Sequence, residues 1–338
     1  MDNGAHLYFN ASDRSYFSLL KKDIHALAQG LQFPVKRLAE LDIVVAEIVS
    51  NLGKYGRDGQ LLAKAIEDDG RVGVELISID AGPGIGDVNQ VMGDGISTGN
   101  TLGHGLGSIK RLSDDFQIYS QRGWGTLLLA RVYANPRDPK RPKPMAQVHG
   151  LVLPKPGETA CGDGYHVKRS KESLRILIGD GLGHGPEAQA AVQQAIRVFR
   201  TAPEENPCEL LRAVHDGVKR TRGLVATVVG FNFREKVWRI CGVGNIATRI
   251  MGGIDSRNYI TYNGIVGLNM PSTINEQVVP YQRGQVLVVC SDGIRSKWDT
   301  LRLPGILRYD LSLLAAALHK DFTRNTDDAS VVAVRINN

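Results

Sequence analysis

Residues 80–107 read DAGPGIGDVNQVMGDGISTGNTLGHGLG, and the fold of the first half of the chain turns on them. Glycine at this density sustains neither a helix nor a strand interior. It makes a loop whose backbone can approach a ligand closely. Gly103, Gly105 and Gly107 lead into Gly105–Leu112, which reads as a helix, and amides at a helix start favour phosphate. Upstream, Val72–Asp80 reads as a strand ending on Asp80. A carboxylate there can accept an adenine amino group, while Gly82 and Gly84 allow close backbone approach. Further back, Val35–Leu52 carries Leu38, Leu41, Val45, Ile48, Val49 and Leu52 at helical spacing behind Pro34. Glu47 and Asn51 are four apart on that helix and share a face. An amide oxygen suits magnesium, and a carboxylate can take the proton of an attacking hydroxyl. Lys54 follows; it reads as a solvated lysine or as a phosphate contact. Gly125–Thr126 sits at a strand turn.

The remaining elements of this half are a strand at His6–Ala11, a helix at Arg14–Gln29, and strands at Leu61–Ile66, Phe116–Tyr119 and Thr126–Val132. The stretch ANPRDPKRPKPMAQV then places Pro136, Pro139, Pro142 and Pro144 within one segment. Proline removes backbone donors and favours extended conformations, so this segment reads as a domain boundary. The expected domains are residues 1–133 and 148–338, with 134–147 as a proline-rich linker. Beyond it, strands are expected at His149–Leu153, Leu174–Gly179, Val225–Phe231, Val237–Cys241, Val286–Cys290 and Ser330–Arg335. Helices are expected at Glu187–Arg200, Pro207–Arg220 and Leu311–Phe322.

Four aspartates of the second half sit in turns of small residues: Asp163 in CGDGY, Asp180 in GDGLGHG, Asp292 in CSDG and Asp327 in TDDAS. Carboxylates alone make a hard, oxygen-only site for magnesium or manganese. Two such ions activate water and clamp an in-line phosphoryl displacement. Thiol chemistry is disfavoured, because Cys290 reaches Arg295 one residue too early for a C-x5-R loop.

Composition narrows the setting. The 338 residues suffice for two cores, and no apolar run approaches a membrane span. The start, MDNGAHLYFN, lacks a basic stretch followed by an apolar core. Four cysteines occur without a C-x-x-C pair, so a reducing, cytoplasmic setting is expected. Half of the +6 net charge lies in the proline-rich segment, where four basic residues meet one aspartate. No aromatic-interleaved basic face accompanies it, and nucleic acid is not an expected partner.

The order E-x-x-x-N, D-x-G-x-G, G-x-G-x-G, G-T resembles the GHKL superfamily of ATP-binding domains, whose fold is the Bergerat α/β sandwich. Within it, DVNQVMGDGISTGNTLGHGLGSIKRLSDDFQIYSQRGWGT is similar to the RsbT-type switch serine kinases of bacterial partner switching. The resemblance covers about residues 5–133. It implies Asn51 as magnesium ligand, Glu47 as base, Asp80 as adenine contact, and the 99–107 loop (Gly99, Thr101, Gly103, Gly105, Leu106, Gly107) as phosphate lid. Thr126 and Lys54 complete the implied ATP set. A Walker A pattern is absent. His25 in DIHAL reads as a helix-surface residue rather than a phosphoacceptor.

GETACGDGYHV, LIGDGLGHGPEA, ATVVG, CGVGN, VVCSDGIRS and TDDASVVAVR, in that order, resemble the SpoIIE/RsbX-like branch of the type 2C metal-dependent protein serine/threonine phosphatases. This covers about residues 148–338 and implies an αββα sandwich. It implies Asp180 bridging two metals, the Gly181 carbonyl and Asp163 on the second, and Asp292 and Asp327 on the first. Asp328 is the lesser candidate. His184 reads as a donor to a ligand or as a turn residue, and Asn245 as a structural or substrate-loop residue. Arg169 and Arg295 lie near motifs without an assignable role.

The two resemblances together imply a bifunctional regulator, a serine kinase using ATP with Mg2+ joined to a phosphatase using Mn2+ or Mg2+. The implied substrate is a STAS-domain anti-sigma antagonist or related phosphoprotein, and a sigma factor or another switch protein is the further partner class. Two alternatives stay open: the first half binds a partner without transferring phosphate, or it senses ATP and gates the phosphatase.

Overall fold

The computed structural model describes residues 4–11, 16–68, 70–93, 102–137, 144–203, 205–252 and 257–337. The chain divides into two compact units. The first is built from His6–Lys143 together with Arg308–Ala317; the second holds Pro144–Leu307 and Leu318–Asn338. Residues 308–317, assigned to the second domain by sequence, therefore count with the first unit.

The first unit begins with β1 (Leu7–Asn10), α1 (Phe17–Gly30) and α2 (Val35–Tyr55), and continues through β2 (Gln60–Asp68) and β3 (Arg71–Asp80). Then come α3 (Val88–Gly93), α4 (Leu102–Leu112), β4 (Asp115–Gln121) and β5 (Gly125–Tyr133). The strands form one antiparallel sheet in the order β1-β2-β3-β5-β4. α2 starts directly after Pro34, whose fixed φ and missing N–H suit a helix start. It buries Leu41, Val44, Val45, Ile48, Val49 and Leu52. These meet Leu20, Ile24 and Ala28 of α1 and sheet residues such as Leu61, Val74, Leu76 and Ala130 in one core. Each such side chain contributes about 1.5–3 kcal/mol on burial. α3 was not expected, since its six residues lie inside the glycine-rich segment.

A buried ion network also belongs to this unit. Glu75 and Arg131 face each other across β3 and β5. The Arg131 guanidinium donates to Glu75 Oε2 at 2.8 Å, to both Asp310 carboxylate oxygens at 2.8 Å, and to Ser312 Oγ at 3.0 Å. Ser312 Oγ in turn donates to Glu75 Oε2 at 2.8 Å. Arg131 is 3% exposed.

The second unit runs β6 (Ala146–Leu153), β7 (Asp163–Arg169), β8 (Ser173–Gly181), α5 (Pro186–Thr201), α6 (Pro207–Gly217), β9 (Leu224–Asn232) and β10 (Val237–Val243). It continues with β11 (Ala247–Met251), β12 (Arg257–Tyr259), β13 (Gln277–Pro280) and β14 (Val286–Cys290). α7 (Leu311–Phe322), whose residues up to Ala317 count with the first unit, and β15 (Ala329–Ile336) follow. Two antiparallel sheets result, β13-β10-β9-β8-β7 and β12-β11-β14-β15-β6. Ile176, Ile178, Val229 and Trp238 of the first sheet share a core with Val152, Leu287, Val289 and Val332 of the second. The other face of the first sheet is covered by α5 and α6, where Phe199, Leu210, Leu211 and Val214 pack with Leu177, Val228 and Cys241. Strands buried on both faces read as continuous apolar runs, as VLVVC in β14 does. Asn206 caps α6 by accepting from the N–H groups of Cys208 and Glu209, with Pro207 at the first helical position.

β7 and β11–β13 were not expected from the sequence. β6 opens at Ala146, so the last two residues of the expected linker are strand; residues 138–143 of that linker lie outside the described set. All four cysteines are buried and free. Among the described residues no helix is long and apolar enough to cross a membrane.

Replacing Arg131 with methionine keeps the bulk but takes the guanidinium away from buried Glu75 and half-buried Asp310. The expected outcome is a loss of about 3–5 kcal/mol in urea unfolding followed by circular dichroism.

Candidate active sites

The first unit holds a cavity of about 330 Å3 lined by Asn51 and Tyr55 of α2, Ser78 and Asp80 of β3, Gly84, Leu106 of α4 and Thr126 of β5, among others. Its floor is assembled by backbone proximity. Asp80 pairs with Thr126 across β3 and β5, and Asp80 Oδ1 accepts the Gly82 N–H at 2.7 Å. A Cβ at Gly82 would fall 2.5 Å from the Tyr55 carbonyl oxygen. At Gly84, with φ +72°, a Cβ would lie 1.9 Å from the Gln121 carbonyl oxygen. Only glycine fits either place. Ser120 Oγ meets Thr126 Oγ1 at 2.8 Å and accepts the Ile85 N–H at 2.7 Å, which ties the loop after Asp80 to the Gly-Thr turn.

Glu47 and Asn51 share one face of α2, as their spacing requires. The point a Cβ at Gly105 would occupy lies 2.7 Å from Glu47 Oε2 and 3.5 Å from Asn51 Oδ1. The start of α4 thus comes against both side chains. Asn51 Nδ2 is buried without a hydrogen-bond partner. A half turn of the amide exchanges nitrogen and oxygen, so this position can offer an oxygen to a cation. The residues present fit a magnesium-bound nucleotide. Lys54 is exposed on the last turn of α2 and does not line the cavity. Residues 102–107 of the expected lid loop are helix instead, because α4 opens at Leu102, three residues ahead of the expected Gly105, and its backbone closes on α2 at Gly105; Gly99 and Thr101 lie outside the described residues. His25 carries an acidic partner from α2: its Nδ1 lies 2.9 Å from Asp42 Oδ2.

The second unit holds a cavity of about 340 Å3 lined by Asp180, Gly181, Leu182, Gly183, Val225, Gly244, Asn245, Asn263, Gly264, Asp292 and Asp327. Asp163 opens β7 directly opposite Asp180 on β8. It is 6% exposed, and Ser291 Oγ donates to its Oδ2 at 2.6 Å. Its Oδ1 is buried with no partner. Asn245 Nδ2 donates to Asp292 Oδ2 at 2.9 Å, and Asp327 Oδ1 accepts the Asp328 N–H at 2.9 Å. At Gly181 a Cβ would lie 2.4 Å from the Ala188 carbonyl oxygen, so glycine lets α5 close on the end of β8. No three acidic, histidine or cysteine side chains among the described residues already close on an ion-holding point; Asp180, Asp292 and Asp327 line the cavity, whereas Asp163 is buried behind it, opposite Asp180, and does not line it.

Electrostatics reports the convergence. Burial, then the neighbouring carboxylates of Asp163, Asp292, Asp327 and Asp328, push Asp180 up to about 9. Burial pushes Asp163 up to about 7, against the hydrogen bond from Ser291. An orphaned buried oxygen among mutually repelling carboxylates fits a hard divalent cation.

Asp328 is engaged otherwise. Its two carboxylate oxygens accept the backbone N–H groups of Lys155 and Gly162, each at 2.8 Å, clamping the segment before β7. His184 forms a surface chain: Nδ1 lies 2.5 Å from Glu158 Oε1, and Nε2 lies 3.0 Å from Lys155 Nζ. Arg169 closes β7, six residues and therefore about 20 Å from Asp163. Sequence reading missed Ser291 and Asn263. Ser291 directly precedes Asp292 and had that adjacency as a signal; Asn263 had none.

Comparison with known proteins matches each half of the chain to a family. The histidine kinase-like ATPase domain family matches residues 10–132, and the stage II sporulation protein E family matches residues 170–337. The serine/threonine-protein kinase RsbT of Bacillus subtilis (strain 168) is 38% identical over 104 residues, covering 31% of this chain and 78% of that protein. The phosphoserine phosphatase RsbX of the same organism is 23% identical over 146 residues, 42% of this chain and 71% of that protein. A chain from a structural study of the bacterial stressosome as a modular system adapted to control secondary messenger signalling is 29% identical. Its TM-score is 0.53, covering 56% of this chain and 99% of that one.

The raised carboxyls set a pH dependence. In the metal-free fold, Asp163 and Asp180 keep protons that the unfolded chain loses near pH 4. The folded state therefore binds more protons between about pH 4 and pH 9, and its stability falls as pH rises through that window. With chelator present, the melting temperature of the second unit is expected to fall between about pH 6 and pH 9. Magnesium or manganese is expected to raise it more at the higher pH. A metal effect that shrinks with rising pH in differential scanning calorimetry contradicts the assignment.

Proposed function

This chain belongs to the RsbT family of serine/threonine protein kinases and carries a SpoIIE-type phosphatase domain on the same polypeptide, and we propose that it both adds and removes phosphate at a serine or threonine of one partner protein. One observation carries this reading: both cavities keep their chemistry-bearing side chains, Asn51, Asp80 and Thr126 in one and Asp180, Asp292 and Asp327 in the other.

In the kinase reaction Asp80 would receive the adenine amino group, and Asn51 would be the residue that holds Mg2+, which when bound neutralises phosphate charge. Gly103, Gly105, Leu106 and Gly107, on α4, would meet the phosphates, as the resemblance also implies for Gly99 and Thr101. Glu47 accepts the proton of the substrate hydroxyl as that oxygen attacks the γ-phosphorus, and ADP leaves. A positioned carboxylate of this kind contributes about 10²–10⁴ in rate.

In the phosphatase reaction Asp163, Asp180, Asp292, Asp327 and the Gly181 carbonyl would hold two divalent cations, Mg2+ or Mn2+. When bound, these supply an activated water and neutralise charge at phosphorus. Ser291 orients Asp163, and Asn245 orients Asp292. The backbone clamp on Asp328 keeps the Asp163 segment seated beside β15. No thiol takes part, because the four cysteines are buried.

A STAS-domain antagonist of a partner switch is the proposed substrate, with a sigma factor or another switch protein as further partner, in the cytoplasm. The joint likeness to RsbT and RsbX supports this choice.

The test is mass spectrometry of a STAS protein incubated with the full chain and Mg-ATP, then with manganese alone. Wild type should phosphorylate it and then dephosphorylate it. Glu47→Gln should lower transfer at least about a hundredfold while ATP binding persists. Asp180→Asn should stop dephosphorylation and spare transfer. ATP binding without any transfer makes the first unit a binding or gating module. Undiminished hydrolysis by Asp180→Asn removes the metal assignment.

A further inference from the structure

The acidic cavity has a charge imbalance that its aspartates do not resolve. Four carboxylates and two divalent cations cancel, whereas a phosphorylated serine brings a charge of about −1.5 to −2. Nothing in that set attracts the substrate phosphate beyond the cations themselves.

Arg222 supplies the missing charge. It lies in the turn before β9, where the Leu182 N–H donates to the Gly223 carbonyl at 3.2 Å. That bond joins the turn to the loop that follows Asp180 and Gly181. Gly183 of the same loop lines the cavity with Asp180, Asp292 and Asp327. Nη1 of Arg222 lies 3.2 Å from the point a Cβ at residue 183 would occupy. Arg222 does not itself line the cavity; its guanidinium lies beside Gly183, which does, at a position where a larger residue would meet it. Gly183 has φ +76°, which favours glycine for the backbone as well.

The guanidinium is held but not used up. Its Nε donates to Glu187 Oε2 at 2.8 Å, from the first turn of α5. A guanidinium has five N–H donors in a planar fork that matches phosphate oxygens. The side chain is 48% exposed, so an incoming phosphoprotein can reach it. Lys155, the other cation near this loop, has its ammonium on His184 and its backbone N–H in Asp328.

We propose that Arg222 binds the phosphate of the substrate's phosphoserine or phosphothreonine at the mouth of the phosphatase cavity. Glu187 is the positioning residue that aims the fork. This rests on the phosphatase reading above.

The test compares the full-length wild type with Arg222→Ala and Arg222→Lys in saturating magnesium. KM and kcat are measured on p-nitrophenyl phosphate and on the phosphorylated partner, with inhibition by inorganic phosphate. In parallel, the rise in melting temperature caused by inorganic phosphate is recorded. Arg222→Ala should raise KM and the phosphate inhibition constant about tenfold to a hundredfold, change kcat little, and lose the phosphate-induced rise. Arg222→Lys should recover part of each. Unchanged KM and inhibition in Arg222→Ala, or a fall in kcat alone, overturns the proposal. If the wild type hydrolyses neither substrate, the phosphatase reading falls, and the phosphate-induced rise still decides Arg222. A rise lost in Ala and partly kept in Lys supports it; a rise kept in Ala, or absent from the wild type, overturns it.

Discussion

Repulsion between buried carboxylates is the constraint that organises the second unit. Asp163 and Asp180 stand directly opposite each other on adjacent antiparallel strands, a placement that brings Cβ atoms within about 5 Å. Two full charges there would cost about 3 kcal/mol at an effective dielectric of 20, before Asp292 and Asp327 are added. A sandwich with a dense two-sheet core can carry that cost, and a divalent cation reverses its sign. The surrounding hydrogen bonds follow from this. Ser291 takes one oxygen of Asp163 and leaves the other bare, and Asn245 fixes one oxygen of Asp292. Polar support thus reaches one oxygen of each of these carboxylates.

The first unit solves a different problem, that of bringing backbone close to a polyphosphate. Its motif glycines are sites of contact as well as freedom. Those at 82 and 84 stand where a Cβ would strike the Tyr55 and Gln121 carbonyls, and the one at 125 where it would lie 2.0 Å from the Asp80 carbonyl oxygen. Three sequence-distant segments therefore close around Asp80 through main-chain proximity, tied by the side chains of Asp80 and Ser120. Side-chain chemistry is left to a few groups, Glu47, Asn51, Asp80 and Thr126, projecting from a rigid helix and two paired strands.

Much of this was legible because short signals sat at element ends. Pro34 and the apolar spacing of Val35–Leu52 located α2, and the Glu47–Asn51 interval put both side chains on one face. The aspartates announced themselves through glycine neighbours and apolar runs. What stayed hidden has physical reasons. β7 begins on Asp163 inside a string that reads as a turn, because glycine and charge mask a strand whose partner is β8. β11–β13 are short edge or near-edge pieces without a periodic pattern. Residues 308–317 read as part of the phosphatase half, since nothing in a sequence shows that Asp310 and Ser312 complete a buried network with Glu75 and Arg131. Arg222 is silent for the same reason: an arginine in a polar turn is ordinary until the Leu182–Gly223 hydrogen bond sets it over Gly183.

Were both proposed activities to act from this one chain, stoichiometry would constrain them. A kinase and a phosphatase acting on one serine sum to ATP hydrolysis, and a fusion fixes their numbers at one to one. Expression levels then cannot set the phosphorylated fraction of the partner; only the occupancy and rate of each cavity can. The two cavities differ in the ligands that fill them. On the proposed assignment the first would need a nucleotide held with one cation on a neutral amide, and the second would need cations that displace protons from carboxyls raised to about 7 and about 9. The second equilibrium steepens with pH and divalent concentration, whereas the first follows ATP. The same chain would therefore answer separately to energy charge and to the ionic state of its surroundings, and the balance between those answers is what the partner protein would register.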